Sequence, residues 1–440
     1  MSEFIKFTPE ILRGQNISIL REIGRKIGVK SSSTKLKDEL ILNIIKIQNG
    51  ELEPDVQSKR GAPTKNVDVS AFYRREIVPD EEILYPTDFQ TEVFEFNDVS
   101  PVNTKGFFKL ISQDGYGFVL KEPTKRSYDD VFVSQNIVTK YNIKDGDYVL
   151  CDSKKSHNGL YYLNTVYFIN DISVDDLTTR ADFDNLQVAY PNKKLSFLDS
   201  NLSKSAGIVD AFAPIGFGQR AMVVGENFTG KTTLIKDLAL SVSKNSDVSA
   251  YFVVLLGQSP EVISDFKTAF GDNLYATSYD DDVDSHISVI DFVLNRSKRL
   301  VELGQNVVVF ACPSSNVLSV NHEDVAEKNT QILSAFKKLV ALGRNVVDGA
   351  SLTIVFSIDK KDYLANEYFF APVVNCKIVL SNDLASKRVF PAIDLLASVS
   401  QKDYVLLSKT DYDMAKAVRM DVSNGKINLD DYILNFKGIK

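Results

Sequence analysis

Gly225-Glu226-Asn227-Phe228-Thr229-Gly230-Lys231-Thr232 decides how the larger part of this chain folds. It is a G-x-x-x-x-G-K-T phosphate-binding loop, and its flanks fit the motif. Ala221-Met222-Val223-Val224 reads as a short buried strand. Thr233-Leu234-Ile235-Lys236-Asp237-Leu238-Ala239-Leu240 places apolar residues at helical spacing. Strand, glycine loop and helix together give the pattern a mechanism. The glycines Gly225 and Gly230 let backbone N–H groups curl round a phosphate, and the helix N-terminus adds its dipole. Lys231 is expected to reach the β- and γ-phosphates and Thr232 to ligate Mg²⁺, with Thr229 and Thr233 completing the cradle. The bland alternative is a glycine turn that merely starts a helix. The loop in its context predicts a bound nucleotide, ATP with Mg²⁺.

With 440 residues the chain is too long for one core, and about two to four domains are expected. An apolar content of 44% and a charged content of 25% are those of a soluble globular protein. No apolar run approaches a membrane span, and the first residues lack a signal-peptide layout. Cys151, Cys312 and Cys376 lie too far apart in sequence to suggest disulfides or a thiolate metal site. His157, His286 and His322 read as isolated surface or loop residues. A cytoplasmic protein with no membrane partner is expected. The net charge of −7 argues against a uniformly nucleic-acid-coating surface. It leaves room for local sites built from aromatic rings and a few basic groups.

Residues 1–50 read as a small helical N-terminal unit. Thr8-Pro9-Glu10 resembles a helix start, Ile17, Leu20, Ile23 and Ile27 recur at helical spacing, and Leu36 to Ile45 form an amphipathic helix. This segment is expected to serve as an interaction module. Residues 51–99, with Pro54, Gly61-Ala62-Pro63 and mixed charges, read as a linker. Residues 100–172 carry several short strands set off by turn signals such as Lys144-Asp145-Gly146-Asp147 and Asn158-Gly159, the pattern of a small OB- or cold-shock-like barrel. Tyr116 and Phe118 stand two apart and so share a strand face, and Phe132 is a candidate for the same face. Such rings, with Lys109 as a basic neighbour, form either a stacking platform for single-stranded nucleic acid or barrel core; spacing alone leaves both open. Residues 173–205 are a connector. From 206 to 440 apolar strands near 249–256, 306–311, 351–356 and 377–380 alternate with helices, giving a mostly parallel α/β sheet.

In this order the parts resemble the bacterial transcription termination factor Rho family over nearly the whole chain. The motifs that carry the resemblance are Asp114-Gly115-Tyr116-Gly117-Phe118, the stretch Asp210 to Arg220, the stretch Gly343 to Ile354, and Lys387 to Asp394. The resemblance implies a RecA-like P-loop NTPase domain, a ring hexamer with nucleotide between subunits, single-stranded RNA on the barrel, and a transcription complex with RNA polymerase as partner. It assigns Tyr116, Phe118 and Phe132 to RNA stacking and Phe390 to the adenine. The lysines of the shortened translocation loop, Lys360 and Lys361, are its remaining RNA contacts.

The departures bear on activity. Where the family carries Asp-Glu-Arg-Pro-Glu-Glu, this chain has Gly257-Gln258-Ser259-Pro260-Glu261-Val262, so Gln258 holds the general-base position. An amide orients water but does not take its proton efficiently. Cys312 stands at the Walker-B Asp, and a thiol is a poor ligand for a hard ion. Gln401 aligns with the Arg finger, and Lys402, one position on, would face the other side of a strand. Glu226 in the phosphate loop is unhelpful unless it points away. Three readings follow. The first is an RNA- and ATP-binding ring component, alone or mixed with an active paralogue, whose hydrolysis and translocation are weak or lost. The second is a working RNA-dependent ATPase and 5′→3′ helicase in which acids such as Glu261 or Asp265 compensate. The third is a protein-binding scaffold with a relic loop.

Overall fold

The computed structural model describes residues 12, 20, 21, 23, 24, 28–30, 35–48, 52, 102–111, 115–156, 159–176, 180–197, 204–318, 323–347 and 349–436, with backbone alone over 323–328. The helix start at Thr8-Pro9, Ile17, Ile27, the linker apart from Leu52, Asp114, His157, Asn158 and His322 lie outside the described residues. The chain divides into two compact units, Met1–Pro86 and Thr87–Lys440. In the first, helix α1 (Lys37–Gln48) places Leu40, Ile41 and Ile44 on one face. They are buried together with Leu12, Leu20, Ile23 and Val29, as the helical spacing predicts.

The second unit begins with a barrel. Its strands are β1 (Val102–Leu110), β2 (Gly117–Leu120), β3 (Val131–Val133), β4 (Tyr148–Lys155), β5 (Tyr161–Ile169) and β6 (Ile172–Ser173), and helix α2 (Gln135–Tyr141) follows β3. The strands run in the order β3-β2-β1-β4-β5-β6, and a β3–β5 pairing closes the ring. Alternation sorts the side chains. Phe108, Val119, Val131, Val133, Val149, Cys151, Leu163 and Val166 fill the interior. Phe118 and Phe132, one residue out of step with Val119 and with Val131 and Val133, belong to the other face. The two rings are therefore not part of that interior cluster, though both are buried.

The larger sheet, which carries the phosphate loop, has the order β10-β9-β11-β13-β8-β14-β15. Short β7 (Val188–Ala189), inside the connector, pairs with β12 (Arg344–Val346), which pairs with β13. Helix α3 (Lys204–Phe212) leads into β8 (Arg220–Gly225), the phosphate loop and α4 (Lys231–Val242). Then come β9 (Ala250–Gln258), α5 (Pro260–Phe270), β10 (Leu274–Ser278), α6 (Val283–Glu302), β11 (Asn306–Pro313), α7 (Glu323–Ala341), β13 (Ser351–Asp359) and α8 (Lys360–Ala365). Next are β14 (Cys376–Val379), β15 (Val399–Ser400), α9 (Lys409–Ser423) and α10 (Leu429–Asn435). The sheet from β10 to β14 is parallel. Its strands are apolar on both faces because each face has its own core: Val253 and Leu255 pack on one side, Phe252, Val254 and Leu256 on the other.

Two expectations are corrected. His286 is not a surface residue: it sits on α6, 3% exposed, with Nδ1 2.7 Å from Thr277 Oγ1. Burial lowers its pKa, against the charges of Asp281 and Asp282, which raise it. The stretch from Lys360 is a helix rather than a loop, because Asp359 caps it by accepting the Lys361 N–H at 3.0 Å.

A charged seam joins barrel to motor. Arg180, from the connector, makes a bidentate pair with barrel Asp147 at 2.7 Å for each bond and approaches Glu302 of α6 at 3.6 Å. Arg299 holds the same Glu302 at 2.8 Å. Gly146 lets the barrel come close: a Cβ there would lie 2.6 Å from the Asn295 carbonyl carbon of α6. Lys109, expected among RNA contacts, is directed to this seam, where its charge opposes the burial that raises the pKa of Asp145 and Asp291.

Candidate functional sites: a phosphate loop and an aromatic face

Gly225 ends β8 where no side chain fits, since a Cβ would lie 2.6 Å from Thr229 Oγ1 and 2.9 Å from Leu380 Cβ. Thr229, 1% exposed, donates its hydroxyl to Glu226 O at 2.7 Å and so draws the loop into a curl. Gly230, at φ +90, starts α4 with no side chain capping it. The first-turn N–H groups of α4 are therefore aimed at the loop's hollow, where an anion would sit. Lys231 reaches back over that hollow: Nζ donates to Gly225 O at 2.9 Å, Glu226 O at 2.7 Å and Asp359 Oδ2 at 3.2 Å. Thr232 and Thr233 follow in the first turn. The Phe390 ring lies alongside, 3.7 Å from where a Gly230 Cβ would stand, and is 40% exposed. Glu226 turns away from the hollow and pairs with Lys360 at 3.2 Å. Lys360 is thereby drawn to the phosphate loop.

The family's other catalytic positions gather no charge. Gln258, at the end of β9, donates its amide to Cys312 O at 3.0 Å, tying β9 to β11. Cys312 pairs with Leu255 in the ladder and is 1% exposed. Burial pushes its thiol up to about 12, so it stays neutral and offers a metal nothing. Gln401 is exposed just beyond β15, its N–H bonded to Asn375 O at 2.8 Å. Lys402 is not on a strand. It occupies a left-handed turn at φ +57, and its Nζ rests 3.3 Å from the centre of the Tyr190 ring. The suggested compensating acids are elsewhere: Asp265 is paired with Lys236 at 2.6 Å, and Glu261 accepts from its own backbone N–H and from the Ser259 hydroxyl at the N-terminus of α5, which lowers its pKa. The carboxylates that do approach Lys231 are Asp359 and Asp362, which motif matching passed over. Their one sequence signal is Asp359-Lys360-Lys361-Asp362 directly after an apolar strand.

On the barrel, Phe118 and Phe132 are direct partners across β2 and β3, and Phe132 and Tyr162 across β3 and β5. Ring centres are 5.5 Å apart in both pairs, and Tyr116 stands 5.7 Å from Phe132. The Arg126 guanidinium lies 4.0 Å over Phe118. Phe118, Phe132 and Tyr162 are 3%, 5% and 5% exposed, so Tyr116 is the most accessible ring of the group. Sequence reading missed Tyr162, which the β3–β5 ladder brings in, and Arg126, which reaches Phe118 from the loop between β2 and β3.

A closed OB-like barrel ahead of a parallel sheet with a phosphate loop defines a chain with an OB-like domain followed by a RecA-like P-loop domain. Residues 105–175 match the family model described as Rho termination factor, RNA-binding domain. Transcription termination factor Rho of Cereibacter sphaeroides is 30% identical over 334 residues, spanning 70% of this chain and 78% of that protein. The factor of the same name from Borreliella burgdorferi is 28% identical over 341 residues, 73% of this chain and 65% of that one. The chain belongs to the transcription termination factor Rho family. An ATP synthase subunit from Nanoarcheaum equitans superposes with a TM-score of 0.46 at 17% identity, over 56% of this chain and 64% of that one, a likeness that carries no argument. Among the described residues no helix is long and apolar enough to cross a membrane.

Proposed function

We propose that this protein binds single-stranded RNA through its barrel and ATP with Mg²⁺ through its phosphate loop, with hydrolysis and translocation weak or lost. It acts in the cytoplasm in transcription termination, as a regulatory or structural member of a hexameric ring, alone or beside an active paralogue. One observation carries this reading. Lys231 and Thr232 stand in an intact loop, while the base, metal-support and finger positions hold Gln258, buried Cys312 and Gln401. When bound, Mg²⁺-ATP would supply its own phosphate chemistry. Lys231 would exchange its carbonyl acceptors for phosphate oxygens, Thr232 would offer its hydroxyl to the metal, and Phe390 would stack on the base. Removing one such catalytic donor or finger costs roughly 10²–10⁵ in rate, and three losses leave little to drive hydrolysis. The aromatic group with Arg126 supports RNA stacking.

Equilibrium titration of the full chain with a pyrimidine-rich RNA and with a fluorescent ATP analogue tests this. Saturable binding of both is expected. Failure to bind either would turn the reading toward a protein-binding scaffold.

A further inference from the structure

β13 lies between β8 and β11, so its carboxyl end is nearer to the phosphate loop than the end of β11. The last residue of β13, Asp359, is the ladder partner of Gly225, the first residue of the loop. Its two oxygens have different tasks: Oδ1 caps α8, and Oδ2 faces Lys231 Nζ at 3.2 Å. Asp362 stands in the first turn of that helix, 5% exposed; its carboxylate has the Ser315 side chain as a partner, while Oδ2 itself makes no hydrogen bond. It is close enough for the charges of Asp359, Lys231 and Lys361 to act on it. A buried carboxylate oxygen without a donor costs free energy, and capping by Asp359 does not explain it. Two carboxylates side by side are tolerable while Lys231 neutralises them. Once Lys231 moves to phosphate, Asp359 Oδ2 loses its cation beside the loop, with the Asp362 carboxylate close by.

We propose that the divalent cation accompanying nucleotide at this loop is supported by Asp359 and Asp362, in place of a carboxylate at the end of β11. This rests on the nucleotide-binding reading above. Magnesium takes oxygen ligands and is usually held by one or two carboxylates together with substrate phosphates. Among the described residues no group of three or more His, Cys, Asp or Glu could hold a metal alone, which fits a cation that arrives with its nucleotide. The assignment also separates two functions that a Walker-B strand end and its neighbours usually share. Metal support is kept on β13 while Gln258 leaves the attacking water without a base.

The test uses the full chain and its Asp359→Asn and Asp362→Asn variants. Affinity for a fluorescent non-hydrolysable ATP analogue is measured in Mg²⁺ and in EDTA, and Mn²⁺ bound to the nucleotide complex is read by electron paramagnetic resonance. Asn caps helices as well as Asp, and Asp362→Asn removes a buried unpaired charge, so thermal unfolding is expected to show both variants folded. Wild-type protein should gain affinity with Mg²⁺. Each variant should bind at least as tightly as wild type in EDTA, since a carboxylate near Lys231 is neutralised, but should lose the Mg²⁺ gain by about tenfold or more, as for disturbed metal shells, and should weaken the Mn²⁺ signal. An undiminished Mg²⁺ gain and Mn²⁺ signal in both variants overturns the metal assignment alone. Absence of any nucleotide binding by wild type overturns the nucleotide reading with it.

Discussion

On the barrel, Phe118, Phe132 and Tyr162 meet across three neighbouring strands, whereas in the motor Lys231, Gln258, Cys312 and Gln401 come from the ends of four separate segments. The first group is held by ladder register, so the fold that forms the barrel also forms the cluster. In the second, each position answers to its own strand end and can change without disturbing the sheet. Cys312 shows this: as a buried thiol it packs among apolar residues and costs the core nothing. A conserved architecture therefore says more about the barrel face than about the motor's chemistry.

The sharpest way to break the comparison is to uncouple the two regions. Arg180→Met leaves buried Asp147 without its cation, while Glu302 keeps Arg299 and Lys144. Stability is expected to fall by about 3–5 kcal/mol, read as a lower urea midpoint, with tryptic release of the barrel at lower urea. Next in size, Lys231→Ala should weaken nucleotide binding about 10–100-fold, the worth of one or more charged hydrogen bonds, and leave RNA affinity unchanged. The converse variant, Tyr116→Ala, should lose about 1–3 kcal/mol of RNA binding, one stacked base, and leave nucleotide affinity unchanged. Tyr116 is the ring to replace because Phe118 and Phe132 are buried, and truncating them would cost folding as well.

The smallest effect lies at the seam and depends on pH. Burial holds Asp145 up at about 6 against an ordinary 3.8. The fold thus disfavours its charged form, a penalty absent below about pH 4 and complete once pH exceeds the folded value. Asp145→Asn removes the penalty, so the variant should gain on wild type as pH rises from 4.5 to 7.5, with a flat difference above. A difference independent of pH would mean that Asp145 is hydrated in the seam.

The parallel sheet and the phosphate loop were legible because unbroken apolar runs and one contiguous motif specify them. Helix α5 begins at Pro260 and ends at Phe270, as proline at its start and a glycine beyond its end suggest. The aromatic face was half legible: Tyr116 and Phe118 lie in one stretch, but Tyr162 reaches Phe132 only through the parallel β3–β5 pairing that closes the barrel. Asp359 and Asp362 were illegible for the same reason. Their nearness to Lys231 follows from strand order, which sets β13 beside β8, and periodicity says nothing of strand order. Lys109 and Lys360 were read as basic residues by type; the acids whose charges reach them, Asp145 and Asp291 for Lys109 and Glu226 for Lys360, come from other parts of the chain. His286 was misread because its partner Thr277 comes from the preceding strand.

The most direct test is phosphate release from ATP by the full chain, with and without pyrimidine-rich RNA, beside Lys231→Ala. The account predicts saturable ATP binding, lost in the variant, and turnover no greater than the variant's whether or not RNA is present. RNA-stimulated turnover that disappears in Lys231→Ala would contradict it and return Gln258, Cys312 and Gln401 to a working motor.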